Sequence, residues 1–548
     1  MRWTFANEGP IRFPPAATDG RVIVASDDGC VYCLDTDTGA LLWRFRGGPR
    51  DERLLGNGQM IGRWPPRAGV LVHGDRVYAA FGMWTTDGVY MYALSAADGA
   101  VLWKNDTCGR RYMKMPHDYL EGIAGVSPQG HMLLARDTLV VPNGRAMPAG
   151  FDPGTGTLRF CRNNASKLHH AGGAWNFAAG DLFVGERHPL HVDRHVQVGE
   201  SPPVGGDGLI AWSHDTGEQV LAVAGKHRAV VHDGHLYATG DDTLSAVDLK
   251  VLANKAGAYY ASGLIDPALP PRHIKPMGWL RGTPYPWYPS QVQPVYAEPA
   301  VWQTPMGRTY ALVLAGDTLV AGGNGAVTAV HAATGRKRWE KSVPGQARGL
   351  AVVPGRLIVS TSTGDICCFG TETVPEPDGY AGTPAAPSDS PDRVQEAQRL
   401  LTGATVSKGY ALYLGETDPA LPLTIAELSE CTLYWRLTSA DAVRTARQTV
   451  RARGVYGTRL AVHHGPAAPL PYADGFANLV VLDRIGGNGA ETVSVTELHR
   501  VLHPYGGVLC IRSDRSPEHT EAWLREGGVP PQEITKSGGL VRVTRGAL

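Results

Sequence analysis

The stretch VYCLDTDTGALLW, from Val31 to Trp43, contains the pattern that determines the fold of most of the chain. Two apolar runs flank a polar turn that ends in Thr-Gly, and a tryptophan follows four residues after the glycine. Glycine tolerates the positive φ that such a turn needs, and the indole ring is suited to pack on a neighbouring copy. The pattern therefore predicts a hairpin that belongs to a larger, repeated sheet.

The same phrase returns along the first two-thirds of the chain. The best copy runs from Tyr90 to Trp103, and weaker copies lie at residues 149–160, 208–221 and 327–339. The strand-rich units that contain or resemble these copies begin at Arg21, Asp75, Asp137, Asp181, His235, Asp317 and Gly355. A recurring unit buries its apolar faces against its own copies. We therefore predict an all-β propeller of seven blades, or of eight if further residues precede Met1.

The two ends of this region are incomplete in complementary ways. The last unit stops at Cys368-Phe369 without a Thr-Gly turn and a tryptophan of its own. Residues Arg2–Phe5 read as the strand that follows such a turn, but the turn itself is missing. We expect Arg2–Phe5 to complete the last blade and close the ring.

Composition excludes several classes of partner. The chain has 52 Lys and Arg against 52 Asp and Glu, and a net charge of zero gives no reason to expect a nucleic acid partner. No apolar run approaches the ~20 residues that cross a bilayer, so we expect no membrane span. The eight cysteines are too few for a disulfide scaffold, and the odd spacing of Cys30 and Cys33 within a strand directs them to opposite faces.

The repeated phrases resemble the repeats of pyrroloquinoline-quinone (PQQ) enzymes and of the related outer-membrane assembly β-propellers. The resemblance implies the propeller fold, because the Thr-Gly and Trp positions hold blades together and do not contact a quinone. Quinoprotein alcohol dehydrogenases carry a vicinal disulfide in a loop, whereas Cys367 and Cys368 read here as part of a strand. The sequence also offers no recognisable Glu/Asn/Asp calcium cluster. We therefore expect neither PQQ nor a metal.

The sequence leaves the cellular location open. Its start, MRWTFANEGP, lacks the apolar core of a signal peptide. Propellers that these repeats resemble are commonly exported, so a periplasmic location follows if Met1 is not the native start.

Two insertions between blades are candidate partner surfaces. Residues 104–130 carry Arg110, Arg111 and His117, and residues 263–305 carry an aromatic group. The aromatic residues are Trp279, Tyr285, Trp287 and Tyr288. Long insertions lie on propeller faces, where binding usually resides, so we expect a protein or small-molecule partner there. The alternative is that the aromatic insertion caps the channel or packs on the second domain.

A group of histidines lies in one connection between blades. Its members are His169, His170, His188, His191 and His195. The spacing of His191 and His195 suits a metal only on a helix, and this stretch reads as an irregular connection. We interpret the group as surface polar residues.

The pattern changes after residue 370. Residues 371–392 are rich in proline, acidic and small residues, as is typical of a linker. Strand-like runs follow at residues 409–415, 459–465, 476–483 and 506–513, and a helical run at residues 440–454 lies between the first two. Such alternation predicts a parallel sheet. The chain is thus divided into a propeller at 1–370, a linker at 371–392 and a smaller α/β, Rossmann-like domain at 393–548.

The last domain resembles a class I S-adenosylmethionine (SAM) methyltransferase. The resemblance rests on the strand end Leu412–Gly415, on LPYADGFANLVVLD from Leu470 to Asp483, and on VLHPYGGVL from Val501 to Leu509. If SAM is bound, the resemblance implies a set of binding residues. They are Gly415, Glu416, Gly465, Asp474 and Asp483.

The expected SAM pocket departs from the family at three places. The family uses a Gly-rich turn after the first strand, because only bare backbone allows SAM to approach closely. Here the turn at residues 415–419 contains one glycine, Gly415, and ends in Pro419. An acidic residue normally binds the ribose after the second strand, but residues 433–438 contain none. Gly465-Pro466 stands where Gly-Asp commonly follows the third strand. We therefore predict a domain that has lost its cofactor.

Three functions follow in order of preference. The first is a non-catalytic binding or assembly protein, a propeller scaffold with a pseudo-methyltransferase domain. The second is an active SAM-dependent methyltransferase whose propeller recruits the substrate. The third is a PQQ-dependent dehydrogenase.

Overall fold

The structure is a computed structural model of the chain. It describes residues 3–114, 121–144, 146–161, 171–180, 182–187, 208–217, 219–224, 226–240, 242–249, 251, 295–296, 300–370, 391–404, 406, 408–415, 418–485 and 493–547.

The contacts within the chain define two compact units. Residues 67–376 form the middle unit, and residues 1–66 together with 377–548 form the N/C unit. The domain boundaries expected from the sequence, 1–370, 371–392 and 393–548, stay predictions. Residues 371–390 of the expected linker lie outside the described part of the chain.

The N/C unit begins with a small antiparallel sheet and a hairpin. The sheet contains β1 (Ala16–Thr18), β2 (Arg21–Ser26), β3 (Cys30–Asp35) and β4 (Leu41–Arg46), in sequential order. The hairpin pairs β5 (Arg53–Gly56) with β6 (Gln59–Gly62). Cys30 and Cys33 lie in β3, where both are buried free thiols, as expected for apolar strand residues.

The middle unit consists of further sheets of the same kind. The first sheets are formed by β7 (Val70–His73), β8 (Arg76–Phe81), β9 (Tyr90–Ser95) and β10 (Val101–Asn105); by the pair β11 (Arg111–Lys114) and β12 (Glu121–Ala124); and by β13 (Leu133–Ala135), β14 (Thr138–Asn143), β15 (Ala146–Phe151) and β16 (Leu158–Phe160). The next contain β17 (Ala171–Ala179), β18 (Leu182–Arg187), β19 (Gly208–Ser213), β20 (Gln219–Ala224), β21 (Arg228–His232), β22 (His235–Thr239), β23 (Thr243–Asp248), β24 (Val295–Tyr296) and β25 (Trp302–Pro305). The last contains β26 (Ala311–Ala315), β27 (Thr318–Gly322), β28 (Asn324–His331), β29 (Lys337–Val353), β30 (Arg356–Thr361) and β31 (Ile366–Gly370). Neighbouring strands in these sheets pair antiparallel, except that β24 pairs parallel with β20. The described chain up to residue 370 is mostly β-sheet.

Four aromatic residues cover Thr-Gly turns that come later in the chain, and three of these residues lie in the edge strands of sheets. Each of four turn glycines has a positive φ and lies directly beneath an aromatic ring, so that a Cβ atom would overlap the ring. The pairs are Trp3 on Gly39, Trp103 on Gly156, Phe160 on Gly217 and Trp302 on Gly335. The three indoles also donate to carbonyl oxygens of the same turns, at 2.7 to 2.9 Å. The sequence pattern of glycine and tryptophan is therefore a repeated contact between sheets.

The predicted closing strand is absent from the described residues. Residues 3–5 have no strand assignment, and Trp3 instead covers the turn at Gly39 while Phe5 packs on Tyr32 at 5.4 Å between ring centroids. Residues 3–5 therefore form no strand in the structure, while the expectation that Arg2–Phe5 completes the last blade stays a prediction, because the contact of Trp3 with Gly39 is the same as that of the strand residue Trp103 with Gly156. The blade count remains a prediction.

The second part of the N/C unit is a seven-stranded mixed sheet with helices. In chain order its elements are α1 (Pro391–Ala404), β32 (Lys408–Leu414), α2 (Ala420–Leu428), β33 (Glu430–Leu437), α3 (Ala440–Ala452), β34 (Leu460–His464), β35 (Leu479–Ile485), α4 (Val495–Val501), β36 (Val508–Ser513), α5 (Pro517–Glu526), a 3-10 turn (Pro531–Glu533), β37 (Ile534–Ser537) and β38 (Leu540–Thr544). The strand order is β34-β33-β32-β35-β36-β38-β37. The first five strands are parallel, and β38 runs antiparallel to β36.

Local sequence explains where these helices begin. Ser439, Ser494 and Ser516 precede α3, α4 and α5, and each hydroxyl oxygen accepts a hydrogen bond from a backbone N–H of the first turn. A serine at this position satisfies one of the amides that a helix start leaves without a partner. The predicted strands and the predicted helix at 440–454 occur at or within a few residues of the expected positions.

Alternating side chains give the sheet a buried core on each face. Leu412, Leu414 and Tyr434 pack on one face with α4 and α5. Ala411, Tyr413 and Trp435 pack on the other with α1, α2 and α3, as a parallel sheet covered on both faces requires. The carboxyl ends of the parallel strands are thereby gathered at one edge of the sheet.

Candidate functional site

The candidate site is the edge of the C-terminal sheet where the parallel strands end. Gly415 directly follows β32 and has a φ of 147°. A Cβ atom there would lie 2.6 Å from both Cβ and the carbonyl oxygen of Asp483, at the end region of β35. Gly415 is therefore required by close packing on the neighbouring strand.

Both carboxylate oxygens of Asp483 have partners inside the protein. Asp483 is only 2% exposed, and Arg512 Nη1 donates to its Oδ1 at 2.5 Å. The hydroxyl of Tyr413 donates to the other oxygen. Arg512 also pairs with Glu396 at 2.6 Å, so Asp483 belongs to a chain of internal ion pairs that joins α1, β35 and β36.

A resident carboxylate occupies the start of α2, the helix after β32. Pro419 precedes the helix and has no N–H, while Asp418 Oδ1 accepts from the N–H of Ala420 at 3.0 Å. Asp418 is itself held by Arg393 at 2.9 Å. In nucleotide-binding α/β folds the first amides of this helix point at the ligand. Here one of those amides is used by a side chain of the protein; Glu416, the other acid expected nearby, lies outside the described residues.

Asp474 lies at the opposite edge of the sheet from Gly415. It is in the loop that enters β35, four residues before Asn478, which contacts Gly409 at the beginning of β32. Its carboxylate accepts from Arg500 Nη1 at 2.6 Å. Of the five residues expected to bind SAM, the structure thus brings Gly415 and Asp483 into contact and separates Asp474 from them.

An arginine occupies the end of the second strand, where the resemblance implied an acid. Arg436 is 4% exposed, and its Nε donates to the carbonyl oxygen of Pro466 at 2.9 Å. Gly465 has a φ of 151°, and a Cβ atom there would collide with the Arg436 guanidinium. Gly465 therefore accommodates an arginine of the protein itself.

A buried ion cluster links the N-terminal segment to β34 and α3. The Glu8 carboxylate accepts from Arg53, from Arg447 Nη2 at 3.0 Å and from the backbone N–H of His464 at 3.1 Å. The side chains of Glu8 and Arg53 are 2% and 1% exposed. Burial opposes ionisation of Glu8, but Arg53 and Arg447 outweigh it and hold the pKa of Glu8 well below 4.5.

His463 is neutral in this cluster. Burial, together with the charge of Arg53, lowers the pKa of His463 well below 6.5. Its Nδ1 is hydrogen-bonded to the hydroxyl of Tyr472 at 2.9 Å, and its ring is stacked with the rings of both Tyr434 and Tyr472. Burial raises the pKa of Tyr472, so the phenol stays protonated.

The hairpin of β5 and β6 covers the sheet face beside this cluster. Arg53 N–H donates to Pro471 at 2.7 Å, and Ala473 N–H donates to the carbonyl of Arg53 at 2.8 Å. The N–H of Met60 donates to the Tyr434 hydroxyl at 2.9 Å. The chain between β34 and β35 contains no helix in the described residues, and this N-terminal hairpin lies against it.

Sequence reasoning missed the residues that form the buried cluster. Glu8, Arg53 and Arg447 lie far apart in the chain, and each stands in a segment with no motif. Only Arg436 had a signal, because it occupies the strand end where an acid was expected.

The expected partner surface is described only in part. Arg110 and Arg111 are exposed at the start of the β11–β12 hairpin. Beside them Tyr112 and Ile123 face each other across the two strands and are 74% and 54% exposed. His117, Trp279, Tyr285, Trp287 and Tyr288 lie outside the described residues, as does the group of histidines between residues 169 and 195.

The described part of the chain shows neither a metal-binding cluster nor a membrane-spanning helix. No group of three or more His, Cys, Asp or Glu side chains there is arranged to hold a metal ion. None of its helices is long and apolar enough to cross a membrane. Cys367 and Cys368 are free thiols within β31.

Comparison with known proteins identifies the repeat. The family model described as "Outer membrane protein assembly factor BamB" matches residues 1–167 and 292–374. The PQQ-type repeat predicted from the sequence is thereby confirmed in these residues. The tetrathionate hydrolase of Acidithiobacillus ferrooxidans is 23% identical over 246 residues, which are 44% of this chain. The match spans 43% of that relative, less than half its length.

The solved structures that match parts of this chain are of several kinds. BamB from Moraxella catarrhalis is 12% identical, with a TM-score of 0.38, over 64% of this chain and 82% of its own. A europium-containing methanol dehydrogenase is 11% identical, with a TM-score of 0.36, over 67% and 76%. A candidate S-adenosyl-L-methionine-dependent methyltransferase from Methanococcus maripaludis is 17% identical, with a TM-score of 0.26, over 29% and 87%.

Proposed function

We propose that this chain is a non-catalytic binding or assembly protein, in which PQQ-type propeller repeats are joined to a pseudo-methyltransferase domain. The observation that carries the proposal is the state of Asp483. A carboxylate that binds ribose or methionine must be open to the ligand, whereas Asp483 is buried and each of its oxygens is engaged, one by Arg512 and the other by Tyr413.

Two further features of the same edge support the loss of SAM binding. Arg436 replaces the acid whose oxygens would accept from ribose hydroxyls, and a guanidinium has no acceptor atom. Asp418 uses an amide at the start of α2 that a ligand would otherwise meet. The first change removes the ribose-binding acid of the family that the domain resembles, and the second engages a helix amide with a side chain of the protein.

The binding role is proposed for loops of the middle unit. The exposed side chains of Tyr112 and Ile123 beside Arg110 and Arg111 offer apolar contact area next to positive charge. We propose these residues, with His117 and the aromatic group at 279–288, as the surface for a protein or small-molecule partner. The proposal assigns neither SAM nor PQQ to the chain.

An active SAM-dependent methyltransferase is the second candidate. It is favoured by the strand order, in which five parallel strands are followed by a hairpin whose last strand inserts antiparallel beside β36. This order matches the sheet of the class I methyltransferases that the sequence resembles. In this case Gly415, Glu416, Gly465, Asp474 and Asp483 are the residues to test.

Isothermal titration of the full chain with SAM distinguishes the two candidates. The scaffold proposal predicts no saturable heat with SAM or with S-adenosylhomocysteine. Saturable micromolar SAM binding that S-adenosylhomocysteine displaces would refute it and establish the second candidate. A parallel titration with PQQ and calcium tests the dehydrogenase alternative, for which saturable binding followed by dye-linked alcohol oxidation is required.

A further inference from the structure

Arg436 and His463 lie side by side on one face of the C-terminal sheet. They are direct neighbours in the register of β33 and β34, so their side chains leave the sheet on the same side. They are 4% and 0% exposed. The ring of Tyr472 lies over both, with its hydroxyl 2.9 Å from His463 Nδ1 and its centroid 5.8 Å from the guanidinium carbon of Arg436.

Arg53 approaches the same place from the hairpin that covers this face. Its backbone forms a bridge with Tyr472, and the residue is 1% exposed. The positive charges of Arg53 and Arg436 both act on the His463 ring and on the Tyr472 hydroxyl. The sheet below and the hairpin above therefore enclose one interior position.

Three nitrogen atoms around this position have no hydrogen-bond partner among the described residues. They are Nη1 of Arg436, Nη1 of Arg53 and Nε2 of His463, and all three are buried. Guanidinium nitrogens only donate. When the Tyr472 hydroxyl donates to His463 Nδ1, the neutral ring carries its proton on Nε2, so the third atom also donates.

The charges at this position do not balance. Arg53 is paired with Glu8 and with Asp51, and Arg447 shares the Glu8 carboxylate. Arg436 has no ion pair among the described residues, and its Nε bonds only to the carbonyl oxygen of Pro466. An unpaired charge in a protein interior is costly, and a native fold normally supplies a counter-ion.

We propose that Arg436, Arg53 and His463 bind a small oxyanion of the phosphate or carboxylate class between the sheet and the β5–β6 hairpin. Three buried donor atoms without partners and one guanidinium without a counter-ion are the recognition chemistry that such an anion requires. This site is independent of the scaffold role, because it needs neither SAM nor a protein partner.

The test is isothermal titration of the full chain with inorganic phosphate, in HEPES buffer at constant ionic strength. Wild-type protein is expected to show saturable, single-site binding. Arg436→Met is expected to bind at least about tenfold more weakly, as loss of a charge-assisted hydrogen bond implies. The matched control is Arg444→Met, since Arg444 is 68% exposed and pairs with Asp441 on the surface of α3.

Hydrogen exchange of peptides from β33 and β34 separates binding from folding. Without phosphate, Arg436→Met should exchange no faster than wild type, because the substitution removes an unpaired charge. Phosphate should slow exchange in wild type and in Arg444→Met but not in Arg436→Met. Faster exchange of Arg436→Met without phosphate, with no phosphate effect on wild type, would assign Arg436 a purely structural role and overturn the proposal.

Three competing anions define the ligand. Acetate or AMP that displaces phosphate supports an oxyanion site, and tighter binding of AMP than of phosphate identifies a nucleotide as the source. Equal stabilisation of wild type by chloride at the same ionic strength, or equal phosphate affinity of wild type and Arg436→Met, contradicts the proposal.

Discussion

Glu8→Gln is predicted to destabilise the N/C unit strongly. The substitution keeps the size of the side chain but removes the only full charge that faces both Arg53 and Arg447 within the described cluster. Because the side chains of Glu8 and Arg53 are 2% and 1% exposed, water cannot replace the lost carboxylate. Removing one partner of a buried ion pair costs about 3–5 kcal/mol, although Asp51 still pairs with Arg53 at 3.2 Å.

Hydrogen exchange measured by mass spectrometry is the suitable assay, because the chain contains two units that need not unfold together. A loss of this size speeds exchange of the best protected peptides of β33 and β34 by roughly 10²–10⁴-fold. Peptides of the middle unit, residues 67–376, serve as an internal reference and should not change.

The matched control is Asp441→Asn, which breaks an exposed pair on α3. Asp441 is 84% exposed and pairs with Arg444 three residues away, so its loss should change exchange very little. If Glu8→Gln changes exchange no more than Asp441→Asn does, the cluster does not hold the N-terminal segment on the α/β sheet. Exchange that accelerates equally in both units would also refute the reasoning, because the effect would then not be local.

Three further predictions concern other contacts. Gly156→Ala should destabilise the middle unit by about 1–3 kcal/mol, because a Cβ atom at this positive φ overlaps the Trp103 ring. Gly307→Ala is the control and should be neutral, because a Cβ atom there lies in open space. Equal urea midpoints for the two variants would contradict a stabilising contact between Trp103 and the turn at Gly156. Tyr434→Phe leaves the buried N–H of Met60 in β6 without its acceptor and should lower the stability of the hairpin by about 1–3 kcal/mol. Hydrogen exchange in β5 and β6 should then be faster, and unchanged exchange there would show that this hydrogen bond does not hold the hairpin on the sheet. Because the pKa of His463 lies well below 6.5, the unfolded chain binds its proton first, so stability of the N/C unit should rise with pH up to 6.5 and then level off. The same exchange assay across pH should show this rise in wild type but a smaller one in His463→Gln, and identical profiles would assign the pH dependence to other groups.

The repeat was predictable because its information is local. A turn glycine and an aromatic residue four positions later specify both a conformation and a contact, as Trp103 on Gly156 shows. The alternating strands and helices after residue 393 were readable for the same reason. The contact of Trp3 with the turn at Gly39 was not readable, since it joins two positions that lie far apart in the sequence.

The candidate site was predictable only where a family motif marks a position. Gly415 and Asp483 were named from such motifs and do meet, but the partners of Asp483, Arg512 and Tyr413, gave no signal. Pairing between groups far apart in sequence depends on the tertiary fold, and a single sequence does not contain it. Glu8, 439 residues from Arg447, is the extreme case.

The central claim is that side chains of the protein itself use the groups that would hold SAM at the carboxyl edge of the C-terminal sheet. The most direct measurement is a crystal structure of the full chain after soaking with SAM. We predict that Asp483 still pairs with Arg512 and Tyr413, with no ligand density beside Gly415. Density for SAM against Gly415, with Asp483 released from Arg512, would contradict the account.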